Sequence, residues 1–405
     1  MPVTQQICQQ ICILGGGFGG LYTALRLSQL PWETPPRLTL IDQRDRFVFT
    51  PLLYELLTGE LQAWEIAPPF AELLKDTPVI FHQATVTGID LAAKTVACDG
   101  AQVIPYTALV LALGGDTPRN SVPGVAEYAL TFRTLADAYR LEEQLRLREQ
   151  SGSEKIRVVV VGAGPSGVEL ACKLADRLGA RGRIRLVDRN SEILKSSPEF
   201  NRQAALAALE ERGVWIDRET TPVAVHPSTI ALQYKDRVDE IPVDIVLWTV
   251  GTAVSPLIAA LELPKTASGR LQVTPTLQVV DHPDLFALGD AADAVDEQGQ
   301  PLPHTAQAAF QQADYAAWNL WASLSDRPLL PVRYSHLGEM LTLGSDRAAL
   351  AGLGLTLDGP LAYLARRLTY LYRMPTLEHQ LKVGLNWVTR PLMDLVSGMD
   401  KEGHP

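Results

Sequence analysis

Two glycine-rich segments, each following an apolar run, constrain this chain more than any other feature. They lie 147 residues apart, counted from Gly15 to Gly162, and their sequences are GGGFGG over residues 15–20 and GAGPSG over residues 162–167. A G-x-G-x-x-G spacing after a strand predicts a sharp turn into a helix whose N-terminus binds a pyrophosphate. The glycines that allow the turn, the phosphate approach and the helix packing are Gly15, Gly17 and Gly20 in the first copy and Gly162, Gly164 and Gly167 in the second.

Each glycine segment is followed by a second apolar run that ends in an acid. Asp42 lies 27 residues after Gly15, and Asp188 lies 26 residues after Gly162. A carboxylate at this position accepts hydrogen bonds from ribose hydroxyls and repels a 2′-phosphate. Asp188 therefore predicts a preference for NADH, although the nearby Arg185 and Arg189 leave NADPH open. The alternative is a pair of glycine turns in a sheet protein that binds no cofactor.

The two halves of the chain also share an apolar strand that ends in glycine. These strands lead into Gly114 in the first half and Gly251 in the second. The pattern predicts an α/β fold with a duplicated Rossmann-type unit. A further apolar run ends at Gly289 and Asp290 and predicts a strand that returns to the first unit, with a helix cap as the alternative. The predicted domains are 1–125 with 270–325, then 150–265, and a C-terminal region at 326–405.

Composition excludes several classes of protein. Apolar residues make up 46% and charged residues 20%, which is ordinary for a globular protein, and the net charge of −10 argues against nucleic acid as a partner. The chain holds 4 cysteines and no C-x-x-C pair, so neither a redox disulfide nor a metal site is predicted. Since the apolar runs are shorter than the ~18 residues that span a bilayer, no transmembrane helix is expected.

These motifs, in this order, resemble the glutathione-reductase-like flavoproteins with two dinucleotide-binding domains, over residues 8 to about 325. Within them the chain resembles the type II NAD(P)H:quinone oxidoreductases, on the segments FTPLLYELLTG at 49–59 and TAQAAFQQ at 305–312. The resemblance is closer to the demethylphylloquinone reductase branch of that family. Its supporting segments are DQRDRF at 42–47, WEIAPPF at 64–70 and LKVGLNW at 381–387.

The resemblance implies FAD on the first unit and NADH or NADPH on the second. The residues that it assigns to FAD are Gly15, Gly17, Phe18, Gly20, Asp42, Arg46, Thr50, Pro51, Leu52, Leu53, Gly114, Gly289, Asp290, Thr305, Ala306 and Gln307. Those assigned to the nicotinamide nucleotide are Gly162, Gly164, Gly167, Glu169, Asp188 and Gly251. Arg46 has a second interpretation as a solvated surface arginine.

Three residues are predicted to take part in catalysis. Gln307 and Gln311 are four residues apart on a helix predicted over 305–321, and the resemblance places a naphthoquinone ring against this alanine–glutamine face. The alternative is a packing helix whose glutamines face water. The resemblance also places Glu169 near the nicotinamide, in binding or proton supply. A carboxylate is favoured at a helix N-terminus in any case, which is the alternative for Glu169.

The C-terminal region carries two apolar stripes at helical spacing. Their residues are Leu361, Leu364, Leu368, Leu371 and Tyr372, then, after Pro375, Leu377, Leu381, Leu385, Val388, Leu392 and Leu395. Over 361–396, five basic residues face two acidic ones, and Arg366, Arg367 and Arg373 are predicted on the polar face. A basic amphipathic segment predicts contact with an anionic membrane surface. Docking on the protein's own core or on a second subunit, as in a homodimer, is the alternative.

The function that we expect is FAD-dependent NAD(P)H:quinone oxidoreduction without proton pumping. The branch implies demethylphylloquinone as the acceptor in phylloquinone biosynthesis, by a peripheral protein on the cytoplasmic face of a thylakoid or plasma membrane. One alternative is a respiratory or plastoquinone-directed dehydrogenase. Another is a redox sensor that binds FAD and NADH but turns over slowly.

Overall fold

The structure, a computed structural model, describes residues 9–399, with side chains up to residue 390. The chain divides into two compact units. Among the described residues, the first contains 9–51, 69–119 and 250–336, and the second contains 52–68, 120–249 and 337–399. The tail, residues 337–399, thus belongs to the second unit. Its side chains form hydrogen bonds or ion pairs with Glu55, Glu60, Glu65 and Glu169 of that unit.

Both units contain strands and helices. Within residues 9–399 the strands are, in chain order, β1 (Gln10–Leu14), β2 (Arg37–Asp42), β3 (Val79–Gln83), β4 (Val86–Asp90), β5 (Thr95–Cys98), β6 (Gln102–Pro105), β7 (Ala108–Leu111), β8 (Gly115–Asp116), β9 (Ala129–Leu130), β10 (Ile156–Val161), β11 (Gly182–Val187), β12 (Trp215–Asp217), β13 (Thr220–Val225), β14 (Thr229–Tyr234), β15 (Arg237–Pro242), β16 (Ile245–Trp248), β17 (Ala253–Val254), β18 (Leu271–Gln272), β19 (Gln278–Val279), β20 (His282–Ala287), β21 (Ala292–Asp293), β22 (Glu339–Thr342), β23 (Ala348–Gly352) and β24 (Leu355–Asp358). The α-helices are α1 (Phe18–Gln29), α2 (Ala63–Ile66), α3 (Phe70–Leu73), α4 (Val125–Tyr128), α5 (Leu135–Gln150), α6 (Pro165–Leu178), α7 (Glu199–Glu211), α8 (Pro256–Ala260), α9 (Ala306–Leu324), α10 (Gly359–Arg373) and α11 (Leu377–Met399). Short 3-10 helices cover Thr50–Leu56, Asp99–Ala101, Gly179–Arg181 and Gly289–Ala291.

The first unit is built on a six-stranded sheet in the order β19-β20-β7-β1-β2-β3. All its pairs are parallel except β19 with β20. β1 is central and its apolar residues are fully buried, as expected for a parallel strand covered on both faces. The predicted return of the run before Gly289 is confirmed, because β20 pairs with β7.

The second unit repeats this arrangement with a parallel sheet in the order β12-β11-β10-β16-β9. Its fingerprint strand β10 lies between the acid-tipped strand β11 and the exit strand β16, as β1 lies between β2 and β7. The predicted duplication and α/β class are therefore confirmed. The tail adds a three-stranded antiparallel sheet, β22-β23-β24, followed by α10 and α11.

Candidate functional site

The glycine loop of the first unit lies between β1 and α1. Gly15 has φ +96°, and a Cβ there would lie 2.4 Å from the carbonyl oxygen of Ala112. A Cβ on Gly20 would lie 1.8 Å from the carbonyl oxygen of Gly15, so helix and loop are in direct contact. A Cβ on Gly17, the N-cap of α1, would meet no atom within 4 Å. The loop therefore leaves open space in front of the helix N-terminus.

The glycine loop of the second unit has the same geometry. Gly162 has φ +105°, and a Cβ on Gly167 would lie 1.8 Å from the carbonyl oxygen of Gly162. Gly164 is the N-cap of α6 and has no atom within 4 Å of an added Cβ. Both loops thus offer unpaired N–H groups and space for a phosphate.

The two acids at the strand ends bind their own glycine loops. Asp42 Oδ2 accepts a hydrogen bond from the Gly16 amide at 2.7 Å, and Asp188 Oδ2 accepts one from the Ala163 amide at 2.7 Å. A carboxylate has about four acceptor positions, so each acid retains capacity for a ribose hydroxyl. The residues present therefore fit a dinucleotide in each unit.

Other residues predicted to bind FAD occupy varied environments in the first unit. Phe18 packs edge-on against Phe47 and Phe49, with ring centroids 5.2 Å away in each case. Arg46 pairs with Asp45 through two hydrogen bonds of 2.9 and 2.7 Å. Contact between Arg46 and a cofactor would compete with this pairing. Three glycines assigned to the cofactors lie just after strands. Gly114 comes three residues after β7, Gly251 three residues after β16, and Gly289 two residues after β20, where Asp290 follows it.

The segment that begins with four residues assigned to FAD, Thr50, Pro51, Leu52 and Leu53, forms the 3-10 helix Thr50–Leu56. Thr50 is exposed and Pro51 is half-buried. The side chains of Leu52 and Leu53 are at most 1% exposed and pack in the protein core. Their contact with FAD stays a prediction.

Helix α9 begins close to the Gly289 turn in the first unit. Thr305 is its N-cap and accepts a hydrogen bond from the Ala308 amide at 3.2 Å, and Ala306 is its first residue. Gln312 Oε1 accepts a hydrogen bond from the Gly289 amide at 2.7 Å. Sequence reasoning gave Gln312 no role, since nothing local distinguishes it from Gln311.

The two glutamines predicted to contact the quinone are bound to the segment that follows β21. Gln311 donates to the Ser335 carbonyl at 2.8 Å and accepts from the Ser335 amide at 2.9 Å. Gln307 Oε1 accepts a hydrogen bond from the Tyr334 hydroxyl at 2.8 Å. The side-chain amide of Gln311 therefore pairs with the backbone of Ser335, and its contact with a quinone stays a prediction.

A buried cluster of charges lies in the second unit, beside α6. Arg366 of α10 and Lys173 are 0% exposed. Arg366 donates a hydrogen bond to Glu55 Oε1, and its Nη2 lies 3.8 Å from Glu169 Oε1. Lys173 donates to Glu60, which also accepts from Tyr363 at 2.9 Å. Three carboxylates thus share two cations in a region shielded from water.

The position of Arg366 corrects the prediction that it lies on the polar face of the tail. Helical spacing predicted Arg366 on the polar face with Arg367 and Arg373. In the structure its guanidinium is buried against the carboxylates of Glu55 and Glu169. The residues that sequence reasoning missed are Glu55, Glu60, Lys173, Tyr363 and Arg366. Of these residues, only Glu55 and Glu60 stand out in the sequence, because they are acids in or directly beside an otherwise mostly apolar segment.

Burial raises the pKa of Glu169 to about 7, although Arg366 and the amide of Thr342, which donates to Oε1 at 2.9 Å, lower it. The protonated form is therefore favoured below about pH 7 in the folded protein. Its stabilising contribution is present below the ordinary pKa of 4.5 and is lost as the pH rises through about 7.

We therefore expect a pH-dependent stability difference between the native protein and Glu169→Gln. Relative to this variant, the native protein should lose roughly 2–3 kcal/mol of unfolding free energy between about pH 5 and pH 8. Urea unfolding at several pH values measures it. A constant difference across this range would contradict the assignment of a raised pKa to Glu169.

Two segments that carry the resemblance to the demethylphylloquinone reductase branch meet in the second unit. Buried Glu65 accepts a hydrogen bond from Trp387 Nε1 at 2.7 Å and one from Asn386 at 3.2 Å. The Glu65 carbonyl lies 2.8 Å from His379 Nε2. These contacts attach α11 to the second unit.

The cysteines of the described residues are free and buried. Burial raises the pKa of Cys12 and Cys172 to about 12, which leaves both thiols protonated at neutral pH. Cys98 is also buried, and Cys8 lies outside the described residues. As predicted, Cys172 is a small buried residue of α6.

Comparison with known proteins decides the family. A model of the pyridine nucleotide-disulphide oxidoreductases matches residues 9–313. The chain belongs to this family. A demethylphylloquinone reductase, NdbB, from Synechocystis sp. is 59% identical over 391 residues, which cover 95% of this chain and 97% of that protein.

Two further matches extend this result. The chloroplastic/mitochondrial alternative NAD(P)H-ubiquinone oxidoreductase C1 of Arabidopsis thaliana is 42% identical over 427 residues, covering 96% of this chain and 82% of that protein. The structure of NDH2 from Plasmodium falciparum in complex with NADH has a TM-score of 0.83 at 17% identity, covering 94% and 98% of the two chains, and shows the same fold. The chain is thus an NAD(P)H:quinone oxidoreductase with a flavoprotein fold, as predicted.

Proposed function

We propose that this oxidoreductase reduces demethylphylloquinone to its quinol. The balanced reaction converts NADH, one proton and the quinone into NAD⁺ and the quinol. The observation that carries this proposal is the 59% identity, along 95% of the chain, to a demethylphylloquinone reductase. The contacts of Glu65 with Trp387 and Asn386 support it, since they join the segments typical of that branch.

The chain's own residues would bind the two cofactors at the glycine loops. The N-termini of α1 and α6 would bind the pyrophosphates of FAD and NADH, and Asp42 and Asp188 would accept hydrogen bonds from the riboses. When bound, FAD accepts hydride from NADH and delivers two electrons to the quinone. In the second unit, the buried cluster would hold a proton on Glu169.

A second candidate acceptor is ubiquinone or plastoquinone. It is favoured by the 42% identity to a protein named as an NAD(P)H-ubiquinone oxidoreductase. Quinone extracts from cells with and without this protein separate the two. We expect its loss to cause accumulation of the demethylated naphthoquinone, whereas an unchanged naphthoquinone pool with a more oxidised benzoquinone pool would favour the alternative.

We also propose that NADH is the preferred donor. Asp188 would repel a 2′-phosphate, and Arg185 is occupied by Asp217, with Nε to Oδ2 at 2.7 Å. Of the two arginines that left NADPH open, Arg189 alone is exposed.

The expected result is a kcat/KM for NADH at least about tenfold above that for NADPH, since the Asp188 carboxylate would repel the 2′-phosphate of NADPH. Replacing Asp188 with Ser should reduce or reverse the ratio. Steady-state rates with both donors measure it. Equal or higher kcat/KM with NADPH in the native protein would contradict the proposal.

We propose further that α10 and α11 bind a membrane surface. No helix among residues 9–399 is both long enough and apolar enough to cross a bilayer. On α10 and α11, the described apolar and aromatic residues that are at least 54% exposed are Leu361, Leu364, Leu368, Tyr372, Leu377, Leu381, Leu385 and Val388. Leu392, Leu395 and Asp394 lie outside the described side chains.

The charges of α10 and α11 support the membrane proposal even when buried Arg366 is left out. The remaining charges over 361–390 are Arg367, Arg373, Lys382 and Arg390 against Glu378. An excess of basic groups beside an exposed apolar stripe favours anionic lipid. A peripheral position on a thylakoid or plasma membrane would give the enzyme access to a lipid-soluble quinone.

The double variant Leu364→Glu, Leu368→Glu tests the membrane proposal. We expect its partitioning into anionic vesicles to fall at least about tenfold, because two apolar side chains would be replaced by charges. Cosedimentation measures it, with Trp215→Glu as the control, since Trp215 is 65% exposed on β12. Equal binding by all three proteins would contradict the proposal. Deleting the tail is a poorer test because it also removes Arg366.

A further inference from the structure

The turn between β23 and β24 places a leucine where water-facing turns carry polar residues. Gly352 pairs with Leu355, so Leu353 and Gly354 form a two-residue turn, with φ +52° and +77°. A turn of this kind favours Asn or Asp followed by Gly, and leucine is strained at positive φ. Leu353 is nevertheless 76% exposed. Neither backbone conformation nor burial within the chain explains its presence.

A second hairpin in the same unit has a charged residue at the equivalent position of its turn. Tyr234 pairs with Arg237, so Lys235 and Asp236 form the two-residue turn between β14 and β15. Lys235 has φ +53°, almost the backbone conformation of Leu353. The same chain therefore uses a charged residue at one such position and a large apolar residue at the other.

Further exposed leucines continue from the turn toward the tail helices. Leu355 and Leu357 are 64% and 36% exposed, and alternate residues of a strand share one face. β24 is the edge strand of its sheet, and α10 begins directly after it at Gly359. The exposed leucines of β24 are followed at helical spacing by Leu361 and Leu364.

Among possible partners, an anionic bilayer best fits the chemistry of this surface. Apart from buried Arg366, the neighbouring helices carry four basic residues and one acidic residue over 361–390, which complements anionic headgroups. A fluid acyl phase also accepts a single projecting side chain without a matching pocket. We propose that the hairpin β23–β24 is a second membrane contact, with Leu353 at its tip inserted among lipid chains. This inference rests on the proposed membrane binding of α10 and α11.

Site-specific fluorescence tests the insertion directly. Leu353→Cys and Lys235→Cys would each be labelled with a polarity-sensitive nitrobenzoxadiazole group, and the native protein, with its own cysteines, gives the labelling background. With phosphatidylglycerol vesicles we expect a blue shift and brighter emission from position 353 and no change from position 235. A protein that cosediments with vesicles while the label at 353 keeps its water-exposed emission would overturn the inference but not the helix contact.

Two other results of this experiment would also overturn the inference. A blue shift at position 353 that appears without vesicles and grows with protein concentration would indicate a second copy of the chain on this surface. Absence of cosedimentation would overturn the hairpin contact together with the membrane binding of α10 and α11.

The variant Leu353→Asn separates membrane insertion from a structural role. Asparagine suits the left-handed backbone, so we expect a Tm equal to or above that of the native protein. Loss of one inserted leucine should weaken partitioning into phosphatidylglycerol vesicles about tenfold. Lys235→Asn should likewise keep or raise the Tm, because Lys235 has φ +53°, but it should leave partitioning unchanged. A lowered Tm, or unchanged partitioning, for Leu353→Asn would contradict the inference.

Discussion

Gly17→Asp is expected to yield a folded protein without FAD, and Gly164→Asp a yellow protein that NADH no longer reduces. Both glycines are N-caps, where aspartate is a favoured residue, and an added Cβ meets no atom within 4 Å at either position. The new carboxylate would occupy the space in front of the helix and repel a pyrophosphate. We expect each variant to lose at least about 100-fold in affinity for its own cofactor.

The measurements are flavin content after purification and the rate of flavin reduction by NADH. Gly152→Asp is the control for an added carboxylate, because Gly152 also has open space around an added Cβ and lies outside both loops; its φ of +70° adds a backbone cost that Gly17 and Gly164 do not have. Circular dichroism and Tm establish that each variant is folded. If Gly17→Asp kept its flavin, or if Gly164→Asp were still reduced rapidly by NADH, the assignment of one cofactor to each loop would be wrong.

The second large effect is expected for Arg366→Gln. This change leaves the carboxylates of Glu55 and Glu169 buried without the cation that lies between them. Removing one partner of a buried ion pair costs about 3–5 kcal/mol, far more than a surface pair contributes. We therefore expect the unfolding free energy to fall by about that amount, as measured by urea denaturation at neutral pH.

The double variant Glu55→Gln, Arg366→Gln provides the control, since it removes both charges of the pair. We expect it to recover most of the lost stability. Arg367→Gln is a second control, because Arg367 lies over the ring of Trp387 at 4.1 Å and is only half-buried. A double variant no more stable than Arg366→Gln alone would show that the ion pair is not the cause.

The features that could be predicted from the sequence are those set by local rules. Glycine spacing, an acid at the next strand end and apolar runs determine the turns, the acid contacts and the parallel sheets in each unit. Asp42 and Asp188 both bind backbone amides of their own loops, and this follows from a motif fewer than 30 residues long. The duplication made the inference stronger, because the same pattern occurs twice.

The features that were missed depend on contacts between distant parts of the chain. Glu55 and Arg366 are 311 residues apart, and helical spacing alone placed Arg366 on the outer face of α10. Gln311 was assigned to a ligand because its partner, the backbone of Ser335, carries no side-chain signal. The full burial of Leu52 and Leu53 was also not predicted, because apolar sequence does not distinguish a pocket lining from a core.

The most direct measurement is anaerobic absorption spectroscopy of the purified protein. NADH is added first, and then a short-chain demethylated naphthoquinone. We predict that the flavin band is present at the start, disappears promptly with NADH and returns promptly with the quinone. A protein that cannot take up flavin, or a reduced flavin that persists with every quinone offered, would contradict the function proposed for this chain.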